Sequence, residues 1–227
     1  MTVDLRTQPW ENVVDRVERC LGVRLDREAA VVKRRSVGAR TDRDTWIRLE
    51  ARPFSKLTGQ GSGVKGAAGL PRTVAKPEWY QGLSWQVPEQ GVLWRADETE
   101  LVTTPPIKPG GILRSDPGLG PAWWVTLDRS LAALEAHTTT RVATPDTVPI
   151  SQERVTTTIE CVFAGRVETT VTEWAAAHAD LAWANLTAPE CWLLDWEDRG
   201  VAPRGWDAAT LWGHSLAVPA FPWRYPR

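Results

Sequence analysis

The residues best equipped for chemistry lie between His178 and Asp195. His178-Ala179-Asp180 opens the stretch, Asn185 follows Asp180 by five positions, and Asp195 follows Asn185 by ten. A carboxylate can orient a hydroxyl or take its proton as it attacks. An amide oxygen and a second carboxylate are hard donors of the kind Mg²⁺ accepts. Phosphoryl transfer uses both, because a nucleophile must be aimed while the metal holds the nucleotide phosphates. Asp180 and His178 are therefore the candidate catalytic residues, with His178 holding the loop through hydrogen bonds. Asn185 and Asp195 are the candidate metal ligands. Read without further context, the same residue types also make turns and caps.

The elements around the stretch must deliver it. A helix over 169–177 leads into His178, the segment 178–185 is a loop, and Cys191–Leu194 is a short apolar strand ending at Asp195. A last helix opens at Asp207. Protein kinases place Asp and Asn five apart on one loop and a metal-binding Asp beyond it. With these spacings, His178-x-Asp180-x4-Asn185 followed by Asp195-Trp196 resembles the aminoglycoside phosphotransferase and choline kinase-like group. The motif covers about 173–209.

The resemblance implies an α+β, two-lobed protein-kinase-like fold, with a small β-rich N-lobe and a mainly helical C-lobe. It implies Mg²⁺ and ATP or GTP as cofactors, and a small hydroxylated molecule such as an aminoglycoside as acceptor. Asp207 would brace the catalytic loop as a comparable Asp does in that family, or cap its helix. Glu197 and Asp198 would touch a cationic substrate or a second metal, or stand in water.

Composition is compatible with this. The chain has 227 residues, 42% hydrophobic and 24% charged, with net charge −1. Near-neutral charge makes no general case for nucleic acid or an anionic membrane. There is no apolar run of the ~18 residues a membrane span requires. The polar, acidic N-terminus is unlike a signal peptide, so the expected location is cytoplasmic. Cys20, Cys161 and Cys191 have no metal spacing and read as reduced, mostly buried thiols. The 14 Trp read mainly as core, with Trp123, Trp124, Trp174 and Trp212 at apolar positions. A Trp-rich carbohydrate module would be β-rich throughout, against which two helices speak.

Those helices are 9–22, with Trp10, Val13, Val14, Val17 and Leu21 on one face, and Pro121–His137, with Trp124, Leu127, Leu131 and Leu134. His137 reads as a helix C-terminal residue. Ser151–Phe163 is a further helix. Strands are expected at Ala29–Val37 and Thr45–Arg52, and a hairpin at 91–104 around Asp97-Glu98. The Pro/Gly cluster 104–111 marks the lobe boundary, giving domains 1–107 and 108–227.

The turn 36–44 is the expected phosphate loop, through its backbone N–H groups, Ser36, Gly38 and Arg40. Arg48 stands where the resembled family offers a Lys to the phosphates, with Lys56 just beyond. That Lys normally pairs with a Glu on the next helix, but 61–73 holds Lys65 and no acid. The glycines of 55–63 match neither phosphate-loop nor dinucleotide spacing and read as a flexible connection. The region beyond Asp207 is shorter than in the family. Both departures raise an alternative, a catalytically degenerate kinase-like binding or assembly protein, with a protein partner completing the C-lobe.

Overall fold

The computed structural model describes residues 4–54, 63–145 and 148–218. Lys56, most of the Gly-rich stretch and the C-terminal Pro222–Arg227 lie outside them. The chain divides into two units. The first holds residues 1–68 and 77–103, and the second holds 69–76 and 104–227.

The first unit begins with α1 (Glu11–Leu21), which buries Val14, Val17 and Leu21 and ends at Gly22, a left-handed residue. Glycine adopts that conformation without a Cβ clash, so the helix stops there. The buried stripe meets an antiparallel sheet of β1 (Val31–Val32), β2 (Ser36–Arg40), β3 (Thr45–Pro53), β4 (Trp79–Val87) and β5 (Val92–Glu100), ordered β1-β2-β3-β5-β4. Val37, Ala39, Ile47, Leu49, Ala51, Trp94 and Ala96 supply the sheet's side of the core. The alternate residues of β3 and β5 form a polar face. There Arg52 pairs with Glu50 at 2.8 Å and Arg95 with Asp97 at 2.6 Å.

Three strand expectations change. The predicted strand 29–37 is two strands, broken by the turn Lys33-Arg34-Arg35, so most of the predicted 36–44 turn is β2 itself. β5 runs straight through Asp97-Glu98, and its hairpin partner is β4, joined by a single turn of 3₁₀ helix at Pro88–Gln90. The two acids stay in the strand because they are satisfied there. Trp79 Nε1 donates to Asp97, and Thr45 Oγ1 and Gln81 Nε2 donate to Glu98. A short α2 (Gly63–Ala67) lies between β3 and β4.

The second unit contains α3 (Pro121–Glu135), α4 (Gln152–Phe163), β6 (Trp174–Ala177), β7 (Gly200–Pro203) and α5 (Trp206–Gly213). α3 buries Trp123, Leu127, Leu131 and Leu134. The ring of Trp123 stacks on the fully buried Trp183, which ties the helix to the loop after His178. The segment 174–177, expected as helix, is strand β6, paired antiparallel with β7. Helix propensity of its alanines yields to tertiary pairing. Trp174 accordingly faces outward, not inward, and Trp212 is exposed. Cys191–Leu194 is no strand; only Leu193 bridges, to Leu186. Cys20 and Cys161 are exposed, and Cys191 alone is buried. No helix among the described residues is long and apolar enough to cross a membrane.

Candidate functional site

The loop from His178 to Asn185 is fastened from below by α5. Asp207 is buried at the start of that helix and makes no helix cap. Its two carboxylate oxygens accept instead from the backbone N–H of His178 at 2.7 Å and of Ala179 at 2.8 Å. Of the two roles read from sequence for Asp207, bracing and capping, the geometry gives bracing. Burial pushes its carboxyl above the usual carboxylate range, while His178 and the two N–H donors pull it back. Ala179, between these anchors, sits at φ +71. A non-Gly residue takes that conformation only where its surroundings enforce it.

His178 is fully buried, its ring 4.6 Å from that of Trp196. Nε2 lies 2.8 Å from the Leu194 carbonyl. A carbonyl only accepts, so Nε2 carries the proton and Nδ1 is left to accept from the Asp180 N–H at 3.4 Å. His178 thereby links the backbone of Asp180 to the residue preceding Asp195. The Leu194 N–H donates in turn to the Asn185 carbonyl at 2.8 Å, so all three candidate segments are tied together by hydrogen bonds.

Asn185 is oriented by Asp180. Its Nδ2 donates to the Asp180 carbonyl at 2.8 Å and to the Asp180 carboxylate at 3.0 Å. Two acceptors fix which end of the amide is nitrogen. Oδ1 then points the other way and accepts no hydrogen bond among the described residues. Asp195, at φ +64, is the second strained non-Gly position of the site. The donors of the two candidate ligands, the Asn185 amide and the Asp195 carboxylate, are oxygens of the type Mg²⁺ accepts. Among the described residues no cluster of three His, Cys, Asp or Glu side chains is placed to hold a metal.

The phosphate-loop candidates are in the first unit and on strands. Ser36 and Gly38 are within β2, Gly38 lying under the indole of Trp46, where a Cβ would come within 2.3 Å of the ring. Arg40 ends β2 and pairs with Asp44. Arg48 is mid-β3, opposite Gly38 on one side and Asp97 on the other. α2 carries Lys65, set over the Trp79 ring, and no acid. Sequence reading missed Arg141, which reaches the turn after Asp195. The two lie over fifty residues apart, and no local pattern connects them.

No protein-family model matches the sequence, and no curated protein sequence matches it. Solved structures do. The GDP and kanamycin complex of APH(2'')-IIia aligns over 91% of this chain and 78% of its own, with TM-score 0.58 and 11% identity. The streptomycin–ATP–APH(2'')-IIa complex aligns over 88% and 75%, with TM-score 0.54 and 8% identity. An amicoumacin kinase in complex with AMP-PNP and Ca²⁺ aligns over 90% and 68%, with TM-score 0.50 and 14% identity. At such identities the likeness establishes the fold. This chain has the aminoglycoside phosphotransferase-like kinase fold, an α+β arrangement with a five-stranded antiparallel sheet in its first unit.

Proposed function

We propose that the protein is a Mg²⁺- and ATP- or GTP-dependent phosphotransferase that moves the γ-phosphoryl group to a hydroxyl of a small natural product, an aminoglycoside or a similar molecule. The observation that carries this is the orientation of Asn185 by Asp180, on a loop whose backbone is hydrogen-bonded to the residue before Asp195. The neighbours in fold, whose complexes hold GDP, ATP or AMP-PNP with Ca²⁺, support nucleotide and divalent-metal binding.

Asp180 aims the acceptor hydroxyl and takes its proton. Asn185 and Asp195 would hold Mg²⁺, which neutralises charge on the phosphates when bound. His178, wholly buried and bonded through both nitrogens, positions these groups. Ser36, Gly38, Arg40 and Arg48 are the proposed contacts to phosphate, Arg48 through its planar fork. The protein works in the cytoplasm in this reading.

A second reading is favoured by one observation. α2 has no acid to support a phosphate-binding cation, which is what a catalytically degenerate binding or assembly protein of this fold would show. Thermal melting with millimolar Mg-ATP and Mg-GTP tests nucleotide binding. The phosphotransferase reading expects a rise in Tm for one of them, abolished in Asp195→Asn. An unchanged Tm with both nucleotides would favour the second reading.

A further inference from the structure

The turn after Asp195 is gripped by a segment far from it in sequence. Residues 141–144, which follow α3, run alongside residues 197–201. Arg141 spans the turn with its guanidinium. Nε donates to the Arg199 carbonyl at 2.6 Å, and the same group's NH2 donates to the Glu197 carbonyl. The backbones are stitched beside it. The Val201 N–H donates to the Arg141 carbonyl at 2.6 Å, the Ala143 N–H to the Val201 carbonyl at 3.1 Å, and the Thr144 N–H to the Asp198 carbonyl at 3.0 Å. The approach is closest at Gly200, where a Cβ would stand 2.3 Å from the Ala143 nitrogen.

This grip matters because of where Asp195 sits. Its φ of +64 is unfavourable for a residue with a Cβ, so its flanks must hold it. On the N-terminal side His178 holds the Leu194 carbonyl. On the C-terminal side the guanidinium of Arg141 holds two carbonyls with one rigid plane. A lysine in its place would offer a single flexible point donor.

We infer that Arg141 is a positioning residue for the metal-ligating carboxylate, its fork on the Glu197 and Arg199 carbonyls fixing the direction in which Asp195 presents oxygen to a divalent cation. This rests on the phosphotransferase reading. Groups that orient a ligand typically change metal affinity by about 10- to 100-fold when removed.

The test follows the thermal shift of the full chain at fixed millimolar ATP as Mn²⁺ is titrated, in wild type, Arg141→Ala, Arg141→Lys and Asp195→Asn. The melting point without metal reports folding separately. The wild-type shift should saturate with Mn²⁺ and vanish in Asp195→Asn. The Mn²⁺ midpoint should rise at least about tenfold in Arg141→Ala and by less in Arg141→Lys. If the alanine variant does not fold, a raised midpoint in the lysine variant carries the inference. Midpoints within about twofold of wild type in every folded Arg141 variant would overturn it while leaving the phosphotransferase reading intact. A wild type without any Mn²⁺-dependent shift, or an Asp195→Asn variant that shifts like it, would remove both.

Discussion

Asp207 shows how one buried side chain can set a functional loop. It satisfies two consecutive backbone N–H groups, at His178 and Ala179, with two acceptor oxygens. Asparagine would keep one acceptor and turn a donor toward the other N–H. Leaving a buried donor unpaired costs about 1–3 kcal/mol, so Asp207→Asn should lose that much stability in urea unfolding. Unchanged stability would show that the loop does not depend on this brace. Cys191 allows a second measurement. Burial pushes its thiol up to about 12 from an ordinary 9. The raised value means its contribution to stability is whole below pH 9 and is lost as pH rises from there through 12. The native protein should therefore show Cys20 and Cys161 reacting readily with a thiol reagent near pH 8, with Cys191 reacting only on unfolding. Three equally fast thiols would contradict its burial.

At the scale of elements, α4 differs from α1 and α3 in its burial. It buries no residue, so its end caps and the hydrogen bonds of Gln152 with Thr169 and Val171 weigh more in its stability. Ser151 caps it by accepting from the Arg154 N–H at 3.2 Å. Ser151→Ala should cost roughly 0.5–2 kcal/mol. At the other end Ala164 is left-handed at φ +47 and exposed, so Ala164→Gly should add about 0.5–1 kcal/mol. Denaturant melts of the two variants check both, and equal signs would refute the account of the helix ends. The helices with a clear apolar stripe, α1 and α3, were legible in the sequence because burial follows their period; α4 was legible from its apolar residues although it buries none of them. β4 was not read from the sequence: Trp79, Leu83, Trp85 and Val87 alternate with outward residues, but Gln81 and Gly82 interrupt the apolar pattern. β6 was not readable, because Trp174–Ala177 is a strand only by pairing with β7, over twenty residues on. Asp97-Glu98 looked like a turn because nothing local shows that Trp79, Thr45 and Gln81 will satisfy two carboxylates inside a strand.

For the molecule as a whole, each unit carries a different part of the proposal. The second unit holds Asp180, Asn185 and Asp195 on hydrogen-bonded segments, and their spacing in the sequence already pointed to one another. The hydrogen bonds around them, from Asp207, His178 and Arg141, come from positions that sequence reading names only partly. The first unit places the expected phosphate residues on β2 and β3, not in an open loop. At the β2–β3 turn Arg40 pairs with Asp44.

The central claim is that Asp180 takes a proton from an acceptor hydroxyl during phosphoryl transfer. The direct measurement is γ-phosphoryl transfer from Mg-ATP and Mg-GTP to a panel of aminoglycosides, amino alcohols and nucleosides, by wild type and by Asp180→Ala. Loss of a general base lowers turnover by about 10²–10⁴-fold. The account predicts transfer to at least one hydroxylated acceptor by the wild type, and a fall of that size in the variant. An Asp180→Ala protein as active as wild type, or a wild type that binds Mg-nucleotide yet phosphorylates nothing in the panel, would contradict it.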